Sequence, residues 1–388
     1  MHTTNANRYD TIVIGGGQAG LAAGYQLRNA GRSFLILDAN KHPGDTWRNR
    51  WDSLRLFSPA QYDGLPGLRF PAPSGIFPTK DEMADYLERY VGHFELPILH
   101  EMRVTKVTQV ENGMNLECSE RQFFCKNVIV AAGAYASPRL PEFVGALNPS
   151  IMQLHSSEYR RATYLPPGRI LVVGFGTSGV EIACDLATAG RKVLISGRPT
   201  SQVLSKFVPK IFSSRNPLLR LLGKAHWNFM HRVVTINTPM GRKAKAQMAH
   251  RGQPLIRLNQ QHILDLGVDH IPRVSGVVDG KPRLDDGRIL DVSAVIWCTG
   301  FRSDYLFLDF PALRFDEKGR PIAPYGIVSE IPGLYFLGVP FQVGLTSSLV
   351  GGVGRDAAVV VRHIVEEEAR APRPSSGGYR EPVYEPKF

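Results

Sequence analysis

Two stretches of this chain repeat one another, and the repeat dictates most of what it can fold into. Thr11–Ile14 is a short apolar run, followed by Gly15-Gly16-Gly17-Gln18-Ala19-Gly20, a helix-forming stretch from Leu21 to Ala30, a stop at Gly31, and a second apolar run ending at Asp38. The same order returns at Ile170–Val173, Gly174-Phe175-Gly176-Thr177-Ser178-Gly179, Val180–Ala189, Gly190 and Lys192–Ile195. In both copies the stop glycine follows the last motif glycine by 11 positions. Each is a strand–turn–helix–strand unit with G-x-G-x-x-G at the turn. The first glycine makes the tight turn, the second lets a pyrophosphate approach the backbone, and the third lets helix and strand pack closely. Phosphates then meet free N–H groups at the positive end of a helix. The contacts expected are Gly15, Gly17, Gln18, Ala19 and Gly20 in the first copy, and Gly174, Gly176, Thr177, Ser178 and Gly179 in the second.

The two units end differently, and the difference assigns the nucleotides. Asp38 stands 23 residues after Gly15, where a carboxylate accepts hydrogen bonds from ribose hydroxyls and repels a 2′-phosphate. At the equivalent place, 24 residues after Gly174, stands Arg198 within Ser196-Gly197-Arg198, and arginine forms charge-assisted bonds to phosphate. The second site therefore reads as one for NADP. The first, by elimination, takes a dinucleotide without that phosphate, with FAD the natural candidate.

Length permits two domains, at roughly 150 residues each, and 388 residues are present. Two further apolar runs, Val128–Gly133 and Ala294–Gly300, close on small-residue turns of the kind that carry a chain from one domain to another. The fold class expected is α/β: two Rossmann-like dinucleotide-binding domains, the second inserted in the first. The boundaries expected are an FAD domain at 1–166 and 291–370, an NADPH domain at 167–290, and a Pro-, Ser- and Gly-rich tail at 371–388.

Charge is unevenly placed. The net charge is +11, and residues 201–260 hold 11 Lys+Arg with no Asp or Glu, so the remaining 328 residues balance at 35 basic against 35 acidic. This insertion directly follows Arg198. It reads either as a cap over the cleft between the nucleotide sites, whose field draws in an anionic cofactor, or as a surface for peripheral membrane contact through the basic amphipathic stretch Leu218–Val233. No DNA- or RNA-binding motif accompanies it, so no nucleic-acid partner is expected. Four cysteines without a C-x-x-C pair, and a polar start from Met1 to Asp10, point to a reducing, cytoplasmic setting without a disulfide framework or a structural metal. No His/Asp/Glu cluster suggests a catalytic metal.

The order of these features, with Phe77-Pro78-Thr79-Lys80 and the Tyr86–Tyr90 stretch, resembles the flavin-containing monooxygenases, and within that superfamily the YUCCA-type and bacterial branch. Gly44-Asp45-Thr46-Trp47 and Leu54-Arg55-Leu56 resemble the segment that lines the isoalloxazine. Trp297-Cys298-Thr299-Gly300-Phe301-Arg302 resembles the family's Ala-Thr-Gly-Tyr motif. Of the family's F-x-G-x-x-x-H-x-x-x-[FWY] signature, His155 and Tyr159 match, whereas Pro149 and Ile151 stand where Phe and Gly are usual. Pro59 replaces the asparagine that many members place near the flavin.

The resemblance implies an FAD enzyme that takes hydride from NADPH, forms a flavin C4a-(hydro)peroxide with O2, and delivers one oxygen atom to a small-molecule substrate. Cofactor contacts implied are Thr46, Trp47, Thr299, Gly300 and Gln342, alongside the two glycine turns. Catalysis would rest on cofactor placement by Trp47, Ser58 and the region Gln342–Ser348, with Ser58 supplying a hydroxyl. His155 is a hinge against which NADP packs, or a proton-transfer group. Two alternatives stand beside this reading. One is an NADPH-dependent flavin oxidoreductase or oxidase that passes electrons to a quinone or partner. The other is a nucleotide-dependent membrane-surface binding protein.

Overall fold

The computed structural model describes residues 7–135, 137–199, 211, 216–251, 255, 257–258 and 260–370. The tail at 371–388 and most of 200–215 lie outside them. In the first repeat, β1 (Arg8–Ile14), α1 (Gln18–Asn29) and β2 (Phe34–Leu37) form a parallel βαβ unit, with Thr11 opposite Phe34 and Ile14 opposite Leu37. A four-residue helix, α2 (Asp45–Arg48), and α3 (Lys80–His93) follow. The chain then adds β3 (Ile98–Leu99), β4 (Lys106–Val110), β5 (Gly113–Cys118) and the ten-residue β6 (Arg121–Val130).

Strand residues alternate between two cores. Val13, Ile36 and Ile129 face one layer with Leu21, Leu27, Met83 and Leu87 of the helices. Ile12, Ile14, Leu35, Val128 and Val130 face the other, with Leu116 and Phe123 of the antiparallel strands. A strand buried on both faces must be apolar throughout, which is why β1 and β2 read as unbroken runs.

The chain leaves this layer through β7 (Ser137–Pro138). It builds a five-stranded, wholly parallel sheet from β8 (Met152–His155), β9 (Arg169–Val173), β10 (Lys192–Ser196), β11 (Asp269–Ile271) and β14 (Ala294–Trp297), in the order β11-β10-β9-β14-β8. Helix α4 (Thr177–Thr188) is the crossover of the second repeat. Helices α5 (Pro217–Arg232), α6 (Pro239–Arg251) and α7 (Gln260–Asp265), and the hairpin β12 (Val274–Val278)–β13 (Lys281–Leu284), are inserted before β14.

The hydrogen bonding differs from the expected boundaries at both ends. β8 lies before residue 167 and β14 after residue 290, yet both belong to the second sheet: Ala294 pairs with Met152 on one side and Ile170 on the other. The reason is geometric. A doubly wound sheet grows on both sides of its first strand, so β9 needs neighbours beyond its own βαβ partner, and chain on either side of the repeat supplies them.

The return passes through β15 (Phe301–Arg302), antiparallel to β7 with Phe301 opposite Pro138. β16 (Leu308–Asp309) and β17 (Leu334–Phe336) then complete an eight-stranded first sheet, β17 pairing with the end of β6. Helix α8 (Val350–Arg370) closes the chain against α1.

Candidate active site

Both glycine turns have the stereochemistry of a phosphate cradle. Gly15 has φ +107°, and a Cβ there would lie 2.5 Å from the Ala131 carbonyl oxygen. A Cβ on Gly20 would lie 1.8 Å from the Gly15 oxygen, whereas one on Gly17 would meet nothing within 4 Å. The second turn repeats this. Gly174 has φ +120° with the Cys298 oxygen at 2.2 Å from a Cβ, Gly179 would strike the Gly174 oxygen at 1.9 Å, and Gly176 faces open space. The first and third glycines are thus demanded by the protein's own packing, and the middle one keeps a space that packing leaves unfilled. Gln18, Ala19 and Thr177, Ser178 form the first turns of α1 and α4, where backbone N–H groups lack helical acceptors. No side chain caps either helix. These features fit two dinucleotide pyrophosphates.

Asp38 ends β2 in a buried position, and its Oδ1 accepts from the Asn40 backbone at 3.2 Å and side chain at 3.0 Å. Burial pushes its carboxyl up, against those bonds and one from Gly16. At the end of β10 the guanidinium of Arg198 is exposed. Its neighbours have structural work. The Ser196 hydroxyl is fully buried, donating to the Pro272 carbonyl at 2.8 Å and accepting from the Val274 N–H at 3.0 Å. The Gly197 carbonyl accepts from His270 Nε2 at 2.8 Å.

Between the two units lies α2, clamped to α3. Arg48 bonds Glu88 at 2.6 Å and Asp85 at 3.0 Å, and a Cβ on Gly44 would lie 2.7 Å from Ala84. Thr46 is exposed, while Trp47 is half-buried and packs against the cores of both units. Helix α3 starts with a capping box between Thr79 and Glu82. Its two tyrosines hold the next loop: Tyr86 accepts from the Leu65 N–H at 2.6 Å and donates to Leu68, and Tyr90 donates to Pro66 at 2.6 Å.

That loop carries Ser58, whose hydroxyl donates to Asp63 Oδ1 at 2.5 Å. Asp63 is fully buried, and its Oδ2 has no partner among the described residues. Burial pushes its carboxyl up to about 8, so it is protonated at neutral pH. Sequence reasoning missed this residue. The available signal was a lone acid in the apolar stretch between Pro59 and Pro66.

His155 is buried at the end of β8. Its Nδ1 accepts from the Ser157 N–H at 3.2 Å, so Nε2 carries the proton and donates to the Gly300 carbonyl at 3.0 Å. The imidazole packs edge-on against Phe301, with centroids 4.7 Å apart, and burial lowers its pKa. Thr299 donates to the Arg139 carbonyl and the Arg139 N–H donates to Gly300, which sits at φ +86°. Thr299, Gly300 and His155 therefore tie together the two strands that join the units. Arg50, also unanticipated, lies over the Phe301 ring at 5.4 Å, and burial lowers its pKa. The crossing borders a cleft lined by Gly133, Ala134, Phe301, Ser303, Lys318 and Gly338.

Gln342 is turned inward: its Nε2 donates to the Phe336 carbonyl at 3.0 Å, so the side chain shapes its own loop. Ser347 Oγ accepts from the N–H groups of Val343 and Gly344. The basic segment docks on this loop. Ile236 N–H donates to Val343 at 3.0 Å, Leu345 N–H to Val234 at 2.9 Å, and His231 Nδ1 meets Thr346 Oγ1 at 2.9 Å. Trp227 of α5 stacks on Tyr62 at 4.6 Å. The described part of the segment thus covers the loops that carry Ser58 and Gln342.

This pairing of cradles across a double crossing is the architecture of a two-dinucleotide oxidoreductase. A family model described as pyridine nucleotide-disulphide oxidoreductase matches residues 12–247, and the chain belongs to that family. Within it, the chain is an enzyme of the flavoprotein monooxygenase superfamily. It is similar to an uncharacterized CzcO-like oxidoreductase of Geobacillus kaustophilus, 34% identical over 357 residues, spanning 92% of this chain and 98% of that one. It is 28% identical over 385 residues to a probable indole-3-pyruvate monooxygenase, YUCCA3 of Arabidopsis thaliana, spanning 91% of this chain and 86% of that one. Among solved structures it resembles a flavin-containing monooxygenase from Stenotrophomonas maltophilia, with TM-score 0.73, 27% identity, and coverage of 93% and 99%.

Proposed function

We propose that this protein is an NADPH-dependent, FAD-containing monooxygenase that transfers one atom of O2 to a small organic molecule. The observation that carries this reading is the pair of open-centred cradles at Gly17 and Gly176, one ending in buried Asp38 and the other in exposed Arg198. In this assignment the first cradle holds the FAD pyrophosphate and Asp38 its ribose, while the second holds NADPH with Arg198 on the 2′-phosphate. Bound FAD would supply the redox chemistry with O2 and NADPH the reducing equivalents, one oxygen atom reaching the substrate and the other leaving as water.

The chain's own residues bind, orient and protect. Trp47, set against both cores, walls the space between the cofactors. Ser58, fixed by Asp63, presents a hydroxyl whose orientation is set by a buried carboxyl. His155 is a positioning residue in this reading, since Nε2 is engaged by the Gly300 carbonyl and Nδ1 by the N–H and hydroxyl of Ser157. Dithiol chemistry lacks its reactants: Cys118, Cys125, Cys184 and Cys298 are free thiols without a C-x-x-C pair, and burial pushes each one's pKa up.

The test supplies purified protein with NADPH, 18O2 and a panel of small thioethers, amines and 2-oxo acids, and reads products by mass spectrometry. One labelled oxygen per product molecule, with NADPH preferred over NADH, is expected. Full-rate NADPH consumption without oxygen in the presence of a quinone, and no labelled product, would instead make it a reductase.

A further inference from the structure

Helix α5 packs one side on the body of the protein and leaves an apolar face on the other. Toward the body of the protein it turns Gly223, which is buried, and Trp227, which stacks on Tyr62. On the opposite side stand Leu218, Leu221, Leu222 and Phe229, exposed by 65%, 63%, 50% and 40%. At the helical repeat these four fall within a stripe about 100° wide, the width of an ordinary buried face. Two more exposed apolar residues, Val233 and Met240, follow at 38% and 53%. Surface helices place polar residues on the side away from their protein. This one places leucines there.

Charge identifies what those leucines meet. Arg220, Lys224 and Arg232 lie on the same helix and Arg242, Lys243 and Lys245 on α6, and residues 201–260 contain no acid. Arg257 is spoken for by buried Glu181 at 3.0 Å. Arg220 turns toward the body, donating to Ser74 at 3.3 Å, and Arg242 donates to the Asn237 carbonyl at 3.1 Å, while Lys224, Arg232, Lys243 and Lys245 form no ion pair among the described residues. A second copy of the chain would bring two acid-free basic surfaces together, which repel. A nucleic acid would satisfy the cations and leave the leucines in water. An anionic bilayer satisfies both, with leucine side chains in the acyl boundary and basic side chains among the headgroups. Among the described residues no helix is long and apolar enough to cross a membrane, so the contact is one of surface docking.

We propose that α5 lies flat on an anionic membrane surface through Leu218, Leu221, Leu222 and Phe229. This does not depend on the reaction proposed above. The test is co-sedimentation of the full chain with vesicles of phosphatidylcholine alone and of equimolar phosphatidylcholine and phosphatidylserine, over a salt series. Wild-type protein is expected to pellet with the mixed vesicles only, and to be released as salt rises. L218S/L221S/L222S should stay in the supernatant while keeping its melting temperature and flavin content, and K224E should need less salt for release. The proposal is overturned if the wild type never pellets, if it pellets equally with phosphatidylcholine alone, or if the triple variant still pellets. It is equally overturned if the leucine substitutions instead split a dimer on gel filtration or abolish a mobility shift with DNA.

Discussion

His155 Nε2 donates to the carbonyl of Gly300 at 3.0 Å, so a side chain at the end of β8 holds the strand by which the chain returns to its first sheet. The bond joins residues 145 positions apart. It sits where two crossing strands, β7 and β15, are paired by only two residues each. A single hydrogen bond of about 1 kcal/mol therefore bears on the register of the two units.

Replacing His155 with alanine should leave FAD bound and raise KM for NADPH about fivefold, the equivalent of that bond. H155Q, which keeps a donor, should recover part of the loss. Steady-state kinetics over pH separates this from proton transfer: neither kcat nor its pH profile should show a group titrating near 6.5 that disappears in H155Q.

The glycines make opposite predictions within one turn. Gly17→Ala meets open space, so its melting temperature should match the wild type while FAD content falls at least tenfold. Gly20→Ala places a methyl 1.8 Å from the Gly15 oxygen and should destabilise the fold itself, by about 1–3 kcal/mol or more. Gly176→Ala should retain FAD and lose NADPH affinity. Thermal melts and flavin absorbance read all three.

Arg198→Ala should weaken NADPH roughly tenfold or more, as expected for loss of a charge-assisted bond, and leave NADH unchanged. Equal weakening of both would remove Arg198 from the 2′-phosphate.

The repeat itself, both strand pairs, and the difference between Asp38 and Arg198 could be read from residue order alone, because parallel strands and phosphate turns are local patterns. β8 and β14 could not. Their membership of the second sheet depends on pairing between residues 152 and 294, which no local period encodes. Gln342 bonds the Phe336 carbonyl and Ser196 the backbone of Pro272 and Val274, contacts that residue order alone does not encode. Residue type identified them as polar, but direction is set by packing. Asp63 was hidden for a related reason: its environment is built by Ser58, by the tyrosine-held loop of α3, and by α8, where a Cβ on Gly351 would lie 1.8 Å from the Tyr62 oxygen.

Buried Asp63 and half-buried His231 each contribute to the stability profile. Asp63 is raised to about 8 in the folded protein, so the folded state holds its proton more tightly than the unfolded chain, and stability falls as pH rises from about 4 toward 8. Asp63→Asn should remove that loss, and its melting temperature should exceed the wild type's by a margin that widens up to pH 8. His231 is lowered to about 4 by burial and by Arg355, so the unfolded chain takes up its proton first. Stability should therefore fall as pH drops from 6.5 toward 4. His231→Gln should flatten that acid limb alone.

Oxygen transfer can be seen by rapid mixing. Protein reduced anaerobically with NADPH is mixed with oxygenated buffer while the flavin spectrum is followed, and peroxide is assayed at the end. A transient spectrum distinct from both reduced and oxidised flavin is expected before the oxidised form returns. A single-step return to oxidised flavin, with one peroxide released per NADPH, would contradict it.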